Sequence, residues 1–455
     1  MSDVKELIDQ LSKVANPKYL YNQKDFEPGK SQLLYSGPFW DEDEIKMGLE
    51  AFLTGSWATT GEYVFRFQNV FAKHFGVKYA HMVNSGSSAN LILVTALKKH
   101  LDWKDGDEII VSPVGFPTTI APIVQNNLKP VFADIELNTL NFDLDQVAAK
   151  INDRTVAIFV SPVLGNPPDM YKLVDMVVKE NHRRMKKCTD NGDSGFTEMR
   201  LIGDNCDSLG SKWDGRYLTD YYYAWTTSFY PAHHITTIEG GMVCSNNDDL
   251  NNLVRSFSWW GRDCRCVGKA NLLPCGTCGN RFSDWLGDGQ VIDHKYVFTN
   301  MGYNLKPIDM QGAIGLAQMR KIDTIERLRR ENYKLIASIF SSYFSKRILR
   351  VIEPLDIGDP CWFGVPFYCQ NNDFRAQLVN YLEKHKIQTR SYFAGNLLKH
   401  PGYKHLDDAN NYPNSNKALS NVFFLGCPPH YGKAQMDYIE ETLRNFLEAE
   451  PCIVL

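Results

Sequence analysis

An α/β fold, with a large, mostly parallel sheet followed by a smaller α+β unit, is what this 455-residue sequence predicts. Three observations carry that reading. Short apolar runs alternate with amphipathic helical stretches, the pattern of strands joined through crossover helices into a parallel sheet. The alternation stops near residue 340, where shorter strands and helices mix. The chain is too long for one small core, and 44% apolar with 22% charged residues is an ordinary globular balance.

The elements follow in order. Residues 1–60 read as an N-terminal helix-and-loop segment, and the opening "MSDVKELIDQLSKV" is amphipathic, with charges breaking any continuous apolar signal core. The large unit is expected over 61–340, with a cysteine-rich insertion at 262–282, and the small one over 341–455. "KYAHMVNS" is a strand feeding the helix "SANLILVTALKKH", and "DEIIVSPV", "KPVFADIE" and "VAIFVSPVLG" are further buried strands. "MYKLVDMVVKENHRRM" is a helix, "KKCTDNGDSGFTE" (186–198) a surface insertion, and "EMRLIGDN" a strand ending in an acid. Residues 301–340 read as a long helical passage. A net charge of −4 makes no electrostatic case for nucleic acid or an anionic membrane. No window approaches the roughly 20 apolar residues that span a bilayer. A soluble, cytoplasmic protein is expected.

Chemistry concentrates at strand ends. "NSGSSANL" (84–91) joins a strand to a helix, where Gly86 permits a tight turn and the Ser87 and Ser88 amides offer an anion site. A serine-rich helix cap has the same appearance. Phe116 follows a strand in "GFPTT", Asp204 ends one in "GDNCDSLGS", and "SFYPAHHITTIEGG" (228–241) brings Ser228 and two histidines.

The order of these motifs, closed by "GYNLKPIDMQGAIGLAQ", resembles the DegT/DnrJ/EryC1/StrS sugar aminotransferase family over roughly residues 35–430. The resemblance implies the fold-type-I, aspartate aminotransferase-like architecture of pyridoxal-phosphate enzymes. It implies that Gly86, Ser87, Ser88 and Ser228 hold the phosphate, Phe116 stacks on the pyridine ring and Asp204 pairs with the ring nitrogen. Asn304 would reach the phosphate from a second subunit, making a homodimer. The family's Schiff-base lysine position is His233 here. An imidazole forms no stable imine but is a competent general base. The implied cofactor is therefore non-covalent pyridoxamine 5'-phosphate (PMP, interconverting with PLP). The histidine-bearing branches of the family deoxygenate nucleotide sugars: the sugar's 4-keto group meets the cofactor amine, His233 moves a proton, and the 3-hydroxyl leaves. A catalytically dead relative is the bland alternative for the lost lysine.

Of eleven cysteines, Cys188, Cys244, Cys361, Cys369, Cys427 and Cys452 read as buried small hydrophobes. Cys206, Cys264, Cys266, Cys275 and Cys278 stand out, four of them within 15 residues. In a reducing compartment such crowding favours a metal or redox cluster over disulfides. Their order resembles the family branch with four thiolate ligands to a 2Fe-2S cluster, which implies Cys206, Cys264, Cys266 and Cys278 as ligands, with Cys275 as the alternative fourth. The additional "VGKANLLP" leaves that fourth ligand open, and structural zinc competes by spacing. The implied function is a PMP- and 2Fe-2S-dependent 3-dehydrase acting on a nucleotide-linked 4-keto-6-deoxyhexose, CDP-4-keto-6-deoxyglucose by resemblance, in dideoxysugar and polysaccharide biosynthesis. A separate flavin and iron–sulfur reductase would supply electrons. The rivals are a cluster-free GDP-4-keto-6-deoxymannose 3-dehydratase-like enzyme fed by glutamate, and a zinc-stabilised, non-catalytic nucleotide-sugar-binding relative. "TRSYFAGNLLKHP" (389–401) offers Arg390 and Asn396 as substrate contacts or as parts of a structural turn, and His294, Lys295 and Tyr296 are weaker candidates. Asp207 stands where many aminotransferases have Gln or His.

Overall fold

The computed structural model describes residues 2–14, 26–55, 58–192, 195–264 and 281–449. Its main sheet uses seven strands: β1 (Tyr79–Val83), β2 (Glu108–Val111), β3 (Lys129–Phe132), β4 (Thr155–Val160), β5 (Arg200–Asp204), β6 (Ala224–Ser228) and β7 (Gly241–Ser245). They lie in the order β1-β7-β6-β5-β4-β2-β3. Strands β2 to β6 run parallel to one another, whereas β7 is antiparallel to both β1 and β6. Alternation along β4 explains the layering. Ile158 and Val160 enter one apolar core with Phe67, Phe71 and Trp225, while Ala157 and Phe159 enter the opposite core with Leu93, Ile109 and Ile202. With both faces covered, these strands read as unbroken apolar runs.

Helix α1 (Gly86–His100) follows β1, and α2 (Pro117–Gln125) starts on a proline whose missing N–H costs nothing at a helix start. Helix α3 (Met170–Asn191) is longer than expected. It absorbs the first half of the stretch read as an insertion and stops only at Gly192, whose left-handed backbone (φ 71°) returns its N–H to the Cys188 and Thr189 carbonyls. The passage 301–340 is likewise not one helix. Pro307 disfavours helix at the residue before it, α4 (Asp309–Met319) begins after it, and α5 (Ile322–Tyr343) follows a break at Arg320–Lys321. Buried Asp309 accepts from the Gly61 and Val64 amides, tying α4 to the helix Glu62–His74.

A second sheet, wholly antiparallel, consists of β8 (Leu349–Val351), β9 (Gly364–Cys369), β10 (Thr389–Ser391) and β11 (Val422–Gly426) in the order β8-β9-β11-β10. Helix α5 runs across the expected boundary at 340, and its Tyr333, Ile336 and Phe340 join the core of this sheet with Phe367 and Phe423. No helix among the described residues is long and apolar enough to cross a membrane.

Candidate active site

The carboxyl ends of β5 and β6 lie side by side, with Asp204 opposite Thr226. Crevices at such strand ends are where open α/β sheets bind ligands. A cavity of about 520 Å³ opens here, and its wall includes Gly86, Ser87, Phe116, Asp204, Ser228 and His233.

One end is made of caps. Ser85 is the N-cap of α1, and its hydroxyl accepts from the Ser88 amide at 3.1 Å. Ser87 turns its hydroxyl to Thr118 at 3.1 Å. A Cβ on Gly86 would lie 2.5 Å from the Ser228 Cβ, so the helix start and the end of β6 meet only because that side chain is absent. Gly86, Ser87 and Ser228 thus line the cavity together at a helix N-terminus, where first-turn amides favour an anion. Ser88 stands apart from them: it does not line the cavity, and its N–H is bonded to the Ser85 cap.

Asp204 forms the floor. Its carboxylate accepts from Asn90 Nδ2 at 2.8 Å, Thr119 Oγ1 at 2.6 Å and the Cys206 amide at 3.3 Å. All three donors are neutral, and the residue is 4% exposed. A buried carboxylate with only neutral partners suits a cationic group arriving from the cavity. Phe116, the residue before α2, is exposed at the cavity edge, 6.4 Å from the Phe393 ring in an edge-on pair. These features fit a protonated pyridine ring bearing a phosphate.

The other end carries the histidines, and they divide. His233 lines the cavity with its side chain 16% exposed, and its Nδ1 lies 3.5 Å from Asp207 Oδ1 without a hydrogen bond. Burial, and then the charge of Arg329, lowers its pKa to about 3, so the imidazole is neutral across the physiological range. Asp207 accepts from the Leu164 amide, yet burial pushes its carboxyl up to about 7. His234 points into the protein, donating Nε2–H to the Cys361 carbonyl at 2.7 Å.

Arg390 lines the cavity and lies 4.0 Å over the Tyr35 ring. Asn396 does not reach it. That residue is fully buried, and its amide is consumed by the Ala409 carbonyl, Asn416 and the Leu398 N–H that it caps. Asn304 is exposed outside this cavity, its side chain bonded to Lys306. His294 stacks on Trp285 at 3.8 Å and meets Asp263 at 2.8 Å, away from the cavity. Cys206 lines the cavity, and burial, then Asp204, raises its thiol pKa well above the ordinary value. Cys264 lines a different crevice beside Trp259 and Arg262. Cys266, Cys275 and Cys278 lie outside the described residues. Among the described residues no three His, Cys, Asp or Glu side chains form a metal-holding group.

Sequence reasoning missed Tyr35, Thr118, Tyr230, Glu239 and Phe363, which also line the cavity. Tyr230 and Glu239 stood inside the "SFYPAHHITTIEGG" motif and were available there. Tyr35 and Phe363 carry no local signal, because only tertiary packing brings them in.

The solved structure of Escherichia coli GDP-4-keto-6-deoxy-D-mannose-3-dehydratase with bound hydrated PLP superposes with a TM-score of 0.76 at 29% identity, covering 91% of this chain and 99% of that one. Among curated proteins, dTDP-4-dehydro-2,6-dideoxy-D-glucose 3-dehydratase of Saccharopolyspora spinosa is 37% identical over 93% of this chain and 88% of its own. The lipopolysaccharide biosynthesis protein RfbH of Salmonella typhimurium is 33% identical over 98% of both. With residues 40–444 matching its family pattern, the chain belongs to the DegT/DnrJ/EryC1/StrS aminotransferase family.

Proposed function

We propose that the protein is a PMP-dependent 3-dehydrase of a nucleotide-linked 4-keto-6-deoxyhexose. The observation that carries the reading is His233. A neutral imidazole lines the cavity at the position that the resemblance gives to the family's lysine, and Gly86, Ser87, Phe116, Asp204 and Ser228 line the same cavity. When bound, pyridoxamine phosphate supplies a primary amine for the sugar's 4-keto carbon and a ring that takes up electron density. The chain's own residues do the rest. The Gly86 and Ser87 amides and the Ser228 hydroxyl bind phosphate, and Asp204 holds the ring nitrogen protonated. Phe116 limits the ring's tilt, and His233 accepts and returns the proton that accompanies loss of the 3-hydroxyl. Arg390 offers a cation to the anionic nucleotide portion. Two relatives named as 3-dehydratases of 4-keto sugars support this reaction class.

The finer reading adds a 2Fe-2S cluster on Cys206, Cys264, Cys266 and Cys278, with Cys275 as the alternative to Cys278. Its support is the spacing of the thiols and the place of Cys206 in the cavity wall. Such a cluster passes electrons singly, so a flavin and iron–sulfur reductase becomes the partner. CDP-4-keto-6-deoxyglucose is the substrate this branch implies, and a homodimer would bring Asn304 to a neighbouring site.

One experiment tests both levels. Protein purified without oxygen is assayed for metal and incubated with PMP and CDP-4-keto-6-deoxyglucose, with either a one-electron reductant or glutamate. Iron with reductant-dependent loss of the 3-hydroxyl supports the full reading. Glutamate-dependent turnover without iron keeps the dehydrase and removes the cluster. Zinc, with no PMP retained and no turnover, overturns both.

A further inference from the structure

Arg329 is a fully buried cation whose place the chemistry above does not explain. It lies on α5, 1% exposed. Its Nη2 donates to the His233 carbonyl at 3.2 Å, and its Nη1 donates to the Trp362 and Phe363 carbonyls, each at 3.2 Å. All three acceptors are neutral, and Nε has no partner. The Cys427 thiol also lies against the guanidinium and Asp207 is within electrostatic reach, but burying a cation among mainly neutral partners is a poor route to stability, since apolar side chains of similar volume often serve as well. What the fork does is geometric.

The two-histidine turn is gripped from one stretch, 361–363. The Cys361 carbonyl takes the His234 ring, and Arg329 joins the His233 carbonyl to those of Trp362 and Phe363. The Phe363 ring then stands 5.4 Å from the His233 ring and lines the same cavity. Backbone and ring of His233 are therefore both referred to one short segment leading into β9.

We propose that Arg329 is a positioning residue for the imidazole of His233, fixing the orientation of the turn that carries it and maintaining a positive charge behind it. This rests on the reading of His233 as the base. The other groups facing the imidazole are Asp207 from the loop after β5, Tyr230 on its own turn and Phe363, while His234 is turned into the protein. The charge of Arg329 acts on His233 in the direction that keeps it unprotonated.

The test compares Arg329→Gln, which keeps hydrogen-bond donors but no charge, with Arg329→Lys, which keeps the charge but not the planar fork. His233 is titrated by NMR in histidine-labelled protein without cofactor, its signal assigned by its loss in His233→Asn. Steady-state kinetics use PMP-loaded enzyme and CDP-4-keto-6-deoxyglucose. The expected result is a His233 pKa raised by about 1 in Arg329→Gln and unmoved in Arg329→Lys. Both variants lose about tenfold in kcat, with KM within about twofold of wild type. A purely structural tether predicts a lower melting temperature with the His233 titration and kcat both unchanged, and that result overturns the proposal. Should Arg329→Gln not fold, the Lys variant decides alone: wild-type kcat overturns, and a tenfold loss at unchanged KM supports. His233→Asn with wild-type activity would instead remove the reading of His233 as base, whatever Arg329 does.

Discussion

The two ends of the cavity are built in different ways. The phosphate end is local: a helix N-cap, two amides and a strand-end hydroxyl, all within a few residues of β1 and β6. The base end is assembled from distant pieces, with His233, Asp207, Phe363 and Arg329 drawn from four separate segments. A local site is held by backbone that the sheet already fixes. A composite site depends on contacts between the two sheets, and its residues can change chemistry while the scaffold stays. On the proposed reading, that is how a family pattern would keep a phosphate recess while its lysine position becomes His233.

The largest effect expected from separating the two ends is at His233. His233→Asn keeps the cavity filled but removes the base, and turnover should fall by roughly 10²–10⁴. Retention of PMP, measured by equilibrium dialysis, should stay near wild type. If cofactor is lost in parallel, the ends are not independent. Next comes the floor. Asp204→Asn leaves an amide facing the Asn90 and Thr119 donors and takes away the charge opposite the ring nitrogen. A hydrogen bond to a charged group is worth about 1.5–3 kcal/mol, so PMP affinity should drop roughly 10- to 100-fold.

Gly86→Ala tests the recess itself. The new Cβ would lie 2.5 Å from Ser228 Cβ and 3.1 Å from its Cα, so β6 and α1 must separate. A loss of about 1–3 kcal/mol in unfolding free energy is expected, with weakened binding of inorganic phosphate as a probe. Unchanged stability would mean that the close approach is not held by the sheet.

What could be read beforehand follows the same division. The parallel sheet was legible because its strands are buried on both faces and so written as apolar runs such as "TVAIFV". Gly86, Asp204 and Ser228 were legible because a strand–turn–helix fixes where their atoms go. The position of the Ser88 N–H was not legible, because the cap that occupies it is a side-chain choice made by Ser85. Of the two readings open for Asn396, the structural turn is the one its hydrogen bonds match, because burial beneath residues 409–416 is a tertiary fact. Arg329 carried no signal at all, since an arginine on an amphipathic helix reads as solvent-exposed.

Acid separates the ends more gently. Burial lowers the pKa of His233 to about 3 and of His430 to about 4, from 6.5. The unfolded chain therefore takes up these protons first as pH falls. Folding stability contributed by these groups is intact above about pH 6.5 and is lost progressively below it, until the folded-state values are reached. Between pH 6 and 4 each such histidine steepens the loss by at most about 1.4 kcal/mol per pH unit, the one-proton limit, and His430 by less as pH nears 4. In His233→Asn the slope, read from urea unfolding at several pH values, should be shallower by one proton. An unchanged slope would show that His233 is not held neutral in the fold.

The smallest effect belongs to the cap. Ser85 Oγ satisfies the Ser88 amide at the start of α1, one of the N–H groups that a helix leaves without an internal partner. Ser85→Ala should cost about 1 kcal/mol of stability, the usual value for a lost N-cap. Its second consequence is more informative. The freed Ser88 N–H points the same way as its neighbours in the first turn, so a bound phosphate could recruit it. Phosphate should then stabilise Ser85→Ala, by melting temperature, more than it stabilises wild type. Equal stabilisation would mean that the Ser88 amide stays out of the anion's reach whether capped or not, and that the recess is limited to Gly86, Ser87 and Ser228.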